Sequence, residues 1–127
     1  MRVYLSARFQ RREQLNAYRL SLVQHGIEVT SRWLTQPAPE LTDDSWRELA
    51  AIDREDVERA DALILFAESE RDGGGGRHVE FGMALVLGKK IIVIGQVENL
   101  FQRAPEVKVV SSWDEAVEEL LGEPPFP

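Results

Sequence analysis

The sequence contains no cysteine, and only two of its 127 residues are histidine. Disulfide bonds and thiolate metal sites are therefore excluded. Two histidines far apart in the chain also leave little material for a transition-metal site. We expect no metal and no cofactor.

Long apolar runs are absent as well. No run approaches the roughly 20 residues that a membrane-spanning helix requires. Residues 1–5 are followed too soon by polar residues to form a secretion signal, whose apolar centre has about 7–15 residues. Hydrophobic residues make up 43% of the chain and charged residues 29%, as in ordinary globular proteins. These features predict one cytoplasmic domain over residues 1–127, without membrane contact.

Basic residues are fewer than acidic ones: the chain has 15 of the former and 22 of the latter, which gives a net charge of −7. The acidic residues concentrate in 43–58 and 115–123. A polymeric DNA or RNA backbone would be repelled by this charge. A single nucleotide is still compatible with it, because a helix N-terminus and one arginine can hold a phosphate locally. The expected partner is therefore a small molecule.

Five β-prone segments alternate with helical patterns along the chain. Residues 62–66 and 91–94 are apolar on both faces, which is typical of central parallel strands. The other strands are predicted at residues 2–6, 27–31 and 107–110, and the helices at about 15–25, 45–59, 78–87 and 113–121. Leu20 and Val23 are assigned to the apolar face of the first helix. Thr42, Asp43 or Ser45 can cap the second, Ser45 and Glu48 have capping-box spacing, and Ser112 caps the last.

This alternation predicts an α/β domain with three layers, Rossmann-like or flavodoxin-like. Its five-stranded parallel sheet has the order 2-1-3-4-5 and carries helices on both faces. In such sheets ligands bind beyond the carboxyl ends of the strands at the switch point, here between the first and third strands. Residues 6–9, the loop 67–76 and the following helix are predicted to meet there.

Four consecutive glycines, residues 73–76, precede the third helix and are the strongest local signal of a site. Glycine has no side chain to hold the backbone away from a ligand, so these N–H groups can form an anion cradle at the helix N-terminus. We place Glu80 in the first turn of that helix, at the edge of a cavity. An acidic residue there can also serve only to stabilise the helix dipole.

Asp53 is the second candidate acid. On the second helix it falls within a predicted apolar stripe, formed by Trp46, Leu49, Ala50, Val57 and Ala60. A carboxylate on this inward face is either hydrogen-bonded structure or part of a site. Two carboxylates at one end of a sheet are suited to glycosyl transfer, in which one carboxylate bonds to the sugar and the other donates or accepts a proton.

Other candidates each have a structural alternative. Tyr4 is either core or site. Arg8 and Arg77 are either solvated surface or phosphate partners. His78 is a phosphate donor or a helix N-terminal residue, and Trp33 stacks on a base or belongs to the core.

Three segments resemble the nucleoside 2-deoxyribosyltransferase family, including the 2′-deoxynucleoside 5′-phosphate N-hydrolases. They are residues 3–9, residues 53–65, and the Glu-x-Gly-x-Ala helix 76–84 with Gly88-Lys89-Lys90. The resemblance implies that Glu80 attacks the anomeric carbon to give a covalent glycosyl intermediate. It also implies that Asp53 holds and protonates the substrate and that Tyr4 orients Glu80.

The topology, the glycine loop and the resemblance together give a set of candidate substrate-binding positions: Ser6, Arg8, Phe9, Asp72, Gly74, Gly75, Gly76, Arg77 and His78. Family hydrolases have a serine six residues before the glutamate, and transferases an acid. Here Gly74 has that place and His78 replaces a glycine. Asp72 is near enough to serve as the missing acid.

These features favour cleavage of the N-glycosidic bond of a (2′-deoxy)nucleoside 5′-monophosphate, with water as the acceptor. The alternatives are a 2-deoxyribosyltransferase, with a second base as acceptor, and a non-catalytic nucleotide-binding module of the same fold. Members of the family complete their sites with a neighbouring subunit. A homodimer or larger oligomer is therefore expected, and residues 96–101, with Asn99, are either a cross-subunit contribution or a loop.

Overall fold

The computed structural model describes residues 1–37, 40–68 and 75–122. Five strands and four helices alternate: β1 (Arg2–Ser6), α1 (Arg12–Gln24), β2 (Glu28–Val29), α2 (Asp43–Arg59), β3 (Ala62–Phe66), α3 (Gly76–Val86), β4 (Lys90–Ile94), β5 (Val107–Val110) and α4 (Trp113–Leu121). Three 3₁₀ turns lie at Phe9–Arg11, Arg32–Leu34 and Leu100–Arg103.

The sheet is parallel throughout and has the order β2-β1-β3-β4-β5. The predicted order is confirmed. In the register, Tyr4 pairs with Leu63 and Leu63 with Ile91, so these three side chains point to the same face. The neighbouring row of Leu5, Ile64 and Ile92 points to the other face.

Each face of the sheet is covered by two helices. One core cluster contains Leu15 and Leu22 of α1 with Ala116 and Leu120 of α4. The other cluster contains Val57 of α2, Ala60 directly after that helix, and Phe81 and Ala84 of α3. All residues of β3 are buried, because this strand lies at the centre of the sheet between both helix layers. The three-layer α/β architecture is therefore confirmed.

Several helix assignments need correction. Leu20 and Val23 are about half exposed, because α1 turns only Leu15, Tyr18 and Leu22 to the sheet. Helix α2 is capped by Thr42, whose side chain accepts from the Ser45 N–H. The capping box is therefore Thr42 with Ser45 and not Ser45 with Glu48.

The predicted apolar stripe of α2 is also partly wrong. Trp46 is 60% exposed and Ala50 is exposed, whereas Asp56 is completely buried. The N-terminal half of α2 does not bury its apolar residues against the sheet, so the helix contacts the core mainly through its last turns, at Val57 and Ala60.

Strand β2 covers two residues, not the five predicted. The Thr30 N–H still donates to the Val3 carbonyl at 2.9 Å, but at the next position a side chain replaces the backbone pairing. The Ser31 hydroxyl accepts from the Leu5 N–H at 2.6 Å, and the Thr30 hydroxyl donates to the Asp56 carbonyl at 2.8 Å. These bonds turn the chain toward α2. None of the helices in the described ranges is long and apolar enough to cross a membrane.

Candidate active site

A cavity of about 500 Å³ opens at the carboxyl ends of β1 and β3, beside the N-terminus of α3. This is the switch point of the sheet, where the chain leaves β1 and β3 toward opposite faces. Both candidate carboxylates, Glu80 and Asp53, line this cavity.

Glu80 is held from behind by two hydroxyl groups of β1. The Tyr4 hydroxyl donates to Oε2 at 2.7 Å, and the Ser6 hydroxyl donates to Oε1 at 2.8 Å. Tyr4 and Ser6 are completely buried. The Ser6 hydroxyl thus bonds Glu80 in this structure, and its predicted contact with a substrate stays a prediction.

Glu80 lies in the second turn of α3 and not in the first. The helix begins at Gly76, because Gly75 has a φ of 74° and caps it from the left-handed region, where glycine carries no steric penalty. The first turn contains no acidic residue. The carboxylate consequently owes little to the helix dipole, which acts mainly on the first turn, and its environment is set by the cavity.

Burial raises the pKa of the Glu80 carboxyl from its ordinary 4.5 to about 7. The hydrogen bonds from Tyr4 and Ser6 act in the opposite direction, because they stabilise the charged form, and the charges of Asp53 and Asp56 add to the increase. For Tyr4, burial and the neighbouring Glu80 charge raise the pKa well above 10, so its hydroxyl remains a donor across the working pH range.

Asp53 stands on α2, on another wall of the cavity. Burial and the charge of Asp56 raise the pKa of its carboxyl from 3.8 to about 6, against the opposing effect of Arg32. Its Oδ1 atom is buried and has no hydrogen-bond partner among the described residues. A buried carboxylate oxygen without a donor is costly, so this atom is suited to receive a hydrogen bond from a ligand.

Two of the described residues that line the cavity are arginines, and each is paired with a carboxylate. Arg77 is 7% exposed and its guanidinium contacts Glu98 at 2.6 Å. Arg8 contacts Glu68 at 3.0 Å. The interpretation of these arginines as solvated surface is therefore wrong. The pairing also lowers the pKa of Glu98: burial alone would raise it, but the hydrogen bond and charge of Arg77 outweigh that effect.

His78 and Asn99 lie beside this ion pair. The His78 ring is 3.9 Å from Glu98 and 3.5 Å from the Asn99 amide. His78 is not among the described residues that line the cavity. The Asn99 side chain caps the 3₁₀ turn Leu100–Arg103 by accepting from the Gln102 N–H. It thus contacts its own chain, and its contribution to a neighbouring subunit stays a prediction.

The glycine loop is described only from Gly75 onward. Gly75 and Gly76 line the cavity as predicted, whereas Asp72, Gly73 and Gly74 lie outside the described residues. Within the described ranges, no three His, Asp or Glu side chains form a group that could hold a metal ion.

The remaining wall is largely apolar and aromatic. Phe9 and Trp33 lie with their ring centroids 6.3 Å apart, and Leu41 and Leu49 add apolar surface. Trp33 is fixed by its indole N–H, which donates to the Leu5 carbonyl at 3.0 Å. Leu41 and Leu49 were not identified as site residues, because their apolar character alone does not distinguish a cavity wall from core.

The chain is thus a flavodoxin-like α/β protein with two carboxylates, Glu80 and Asp53, lining a cavity at the switch point. Solved structures of this fold include the CMP N-glycosidase BcmB of Clostridium botulinum, with a TM-score of 0.67, 23% identity, and coverage of 94% of this chain and 98% of that one. A 2-deoxyribosyltransferase from Bacillus psychrosaccharolyticus matches with a TM-score of 0.72 and 21% identity, over 91% of this chain and 90% of that one.

A conserved protein from Enterococcus faecalis V583 also matches, with a TM-score of 0.64 and 19% identity, over 95% of this chain and 97% of that one. No protein-family model and no curated sequence matches the chain. The resemblance noted in the sequence is thus confirmed for the fold: the chain has the nucleoside 2-deoxyribosyltransferase and N-glycosidase fold over nearly its full length.

Proposed function

We propose that the protein cleaves the N-glycosidic bond of a (2′-deoxy)nucleoside 5′-monophosphate through a covalent glycosyl–Glu80 intermediate. One observation carries the proposal. The Glu80 carboxylate is fixed by the Tyr4 and Ser6 hydroxyls at a cavity wall, and the second carboxyl, Asp53, lines the same cavity with a buried oxygen that has no donor among the described residues.

The reaction has two steps. A Glu80 oxygen bonds to C1′ as the C1′–N bond breaks, and the base leaves with the bonding electron pair and takes a proton from Asp53. Water then attacks C1′ and gives a proton back to Asp53, and the bond to Glu80 breaks. The products are free base and sugar phosphate, and both carboxyl groups return to their initial states.

The raised pKa values suit these roles. Glu80, with a pKa of about 7, is ionised in an appreciable fraction of molecules near neutrality, and Asp53, with a pKa of about 6, still carries a proton in some of them. The active combination is ionised Glu80 with protonated Asp53. The activity should therefore have a bell-shaped pH dependence, with its maximum between the two pKa values that the pair displays.

We assign the two ends of the substrate from the residues that line the cavity. A base has flat apolar faces, and Phe9 and Trp33 offer aromatic surface for it. The 5′ end would lie at the N-terminus of α3, where the Gly76 and Arg77 N–H groups belong to the unsatisfied first turn of the helix. A 5′-phosphate would be held there by backbone donors, since the Arg77 side chain already pairs with Glu98.

The same ion pair favours a second candidate, a 2-deoxyribosyltransferase. Glu98 places a carboxylate next to Arg77, and a neutral 5′-hydroxyl is repelled less by it than a phosphate. In that case the nitrogen of a second base takes the place of water in the second step.

One experiment separates these functions. Nucleosides and 5′-monophosphates are incubated with the protein, with and without a free acceptor base, and the products are read by chromatography. Free base from a monophosphate supports the hydrolase, whereas exchange that requires the acceptor base supports the transferase. Tight calorimetric binding without turnover would instead indicate a non-catalytic module.

The variant Glu80→Gln tests the nucleophile directly. It keeps the size of the side chain but removes the charge, so turnover should fall at least 1000-fold. Glu48→Gln, at an exposed glutamate of α2, is the matched control and should retain wild-type activity. Turnover by Glu80→Gln at the wild-type rate would refute the proposal.

A further inference from the structure

A second carboxylate of α2, Asp56, is completely buried and does not line the cavity. It follows Asp53 by three residues, so the two side chains lie on adjacent turns of one helix face. Burying a charge is costly, and an apolar residue of similar volume is often at least as stable. Stability alone therefore does not explain a buried carboxylate at this position, and the contacts of Asp56 indicate its role.

Both oxygens of Asp56 accept hydrogen bonds from one residue, Arg32. The Arg32 backbone N–H donates to Oδ2 at 2.9 Å, and its Nε donates to Oδ1 at 2.8 Å. The Asp56 backbone carbonyl accepts from the Thr30 hydroxyl. These bonds fasten the start of the 3₁₀ turn Arg32–Leu34 to α2. The guanidinium also reaches Glu55, but this second carboxylate is largely exposed.

The turn that Asp56 fastens carries Trp33, an aromatic wall of the cavity. Trp33 in turn donates its indole N–H to the Leu5 carbonyl. Leu5 stands between Tyr4 and Ser6, the two residues that hold Glu80. Continuous contacts thus connect Asp56 with both the aromatic wall and the support of the nucleophile.

The charge of Asp56 also acts on the site. The charged and titratable groups facing it are Arg32 of the 3₁₀ turn, Asp53 and Glu55 of α2, Tyr4 of β1 and Glu80 of α3. The negative charge of Asp56 raises the pKa of Asp53, of Glu80 and of Tyr4, while Arg32 lowers that of Asp53. Asp56 is therefore coupled to both reacting carboxyl groups, and the partly exposed Arg32 to Asp53.

We infer that Asp56 is a positioning residue, which holds the Arg32–Leu34 turn through Arg32 so that Trp33 forms the wall against which the base packs. The inference rests on the proposed function, since it takes the bound molecule to be a nucleoside or nucleotide. It assigns a role in substrate binding to a residue that touches no substrate.

The test compares Asp56→Asn with Glu55→Gln. Both remove a carboxylate from the same guanidinium, but only Asp56 bonds the Arg32 backbone. With the substrate that the wild type cleaves fastest, and at the pH optimum of each variant, Asp56→Asn should raise KM about tenfold and leave kcat within about threefold. The pH profile of Asp56→Asn should move to lower pH, because the negative charge that raises the pKa values of Asp53 and Glu80 is removed. Glu55→Gln should change neither KM nor the profile.

Arg32→Ala provides a second variant in case Asp56→Asn does not fold. It should also raise KM, but it should move the pH profile to higher pH, because the cation that lowers the pKa of Asp53 is lost. A simple loss of stability would not shift the two profiles in opposite directions. Wild-type KM and an unshifted profile in the folded variants would overturn the inference and leave the proposed function intact.

An inactive wild-type protein would refute the proposed reaction instead. The inference is then decided by calorimetric binding of cytidine 5′-monophosphate and 2′-deoxyadenosine. Weaker binding by Asp56→Asn than by Glu55→Gln supports it. Equal binding by the two variants, or no binding by the wild type, overturns it.

Discussion

Replacing Tyr4 by phenylalanine removes the hydroxyl that donates to Glu80 Oε2 at 2.7 Å. The ring is completely buried, packed with Leu63, Leu65 and Phe81 in one core cluster, and phenylalanine can fill the same space. The substitution therefore tests the hydrogen bond with little effect on the packing of the core.

The size of the effect follows from the charge of the acceptor. A hydrogen bond to a charged group contributes about 1.5–3 kcal/mol, and about 1.4 kcal/mol is a factor of ten. Because this bond lowers the pKa of Glu80, its loss raises a value that already stands at about 7. Less carboxylate is then present at neutral pH, and kcat/KM at pH 7 should fall roughly 10- to 100-fold.

The pH dependence distinguishes this mechanism from general damage. The loss should be largest at pH 6 and shrink toward pH 8.5, where the carboxyl ionises in the variant as well. Initial rates of base release, measured across this range, give both profiles. Tyr18→Phe is the control, because Tyr18 stacks on Trp113 on the opposite side of the sheet. A loss of equal size at every pH, or no loss, would refute the idea that Tyr4 stabilises the ionised glutamate.

Three further changes have definite expected outcomes. Folding raises the pKa of Glu80 from 4.5 to about 7, so the folded state favours the protonated carboxyl. The stability that this carboxyl contributes is fully present below pH 4.5 and is lost as the pH rises through 7. Glu80→Gln should therefore raise the free energy of unfolding in urea at pH 8, by up to about 3 kcal/mol, and have little effect at pH 4. Glu98→Gln leaves Arg77 without its carboxylate and should lower KM for a 5′-monophosphate relative to its nucleoside; an unchanged ratio in steady-state assays would contradict the assignment of the 5′ end. Thr42→Ala removes the cap that binds the Ser45 N–H and should cost about 1 kcal/mol in thermal unfolding, with kcat unchanged.

The fold could be predicted from the sequence largely because its central elements have unambiguous local patterns. The apolar runs 62–66 and 91–94 are typical of buried strands, and both are found there. Ser112 precedes a helical pattern and does cap α4. The length of strand β2 was harder to predict, because it depends on the hydrogen bonds that the Thr30 and Ser31 side chains form with other segments.

At the site, the approach of Glu80 to Asp53 follows from sheet topology and could be anticipated. The ion-pair partners of the charged residues could not be predicted from the sequence. Asp56 and Arg32, like Arg77 and Glu98, come together only when distant segments pack, and no periodicity in either segment indicates it. A charged residue between exposed neighbours gives the same local pattern whether it is solvated or buried in an ion pair.

The start of α3 at Gly76, one full turn before Glu80, has a consequence for substrate size. Four residues of helix rise by about 6 Å, so one rigid helix carries both the backbone donors of its first turn and the backbone of Glu80. Under the proposed function, a substrate engages both at once only if its anomeric carbon and its distal oxygen atoms reach both ends of this turn. Lengthening the sugar's exocyclic arm by a single methylene should therefore weaken its fit without any change in the protein.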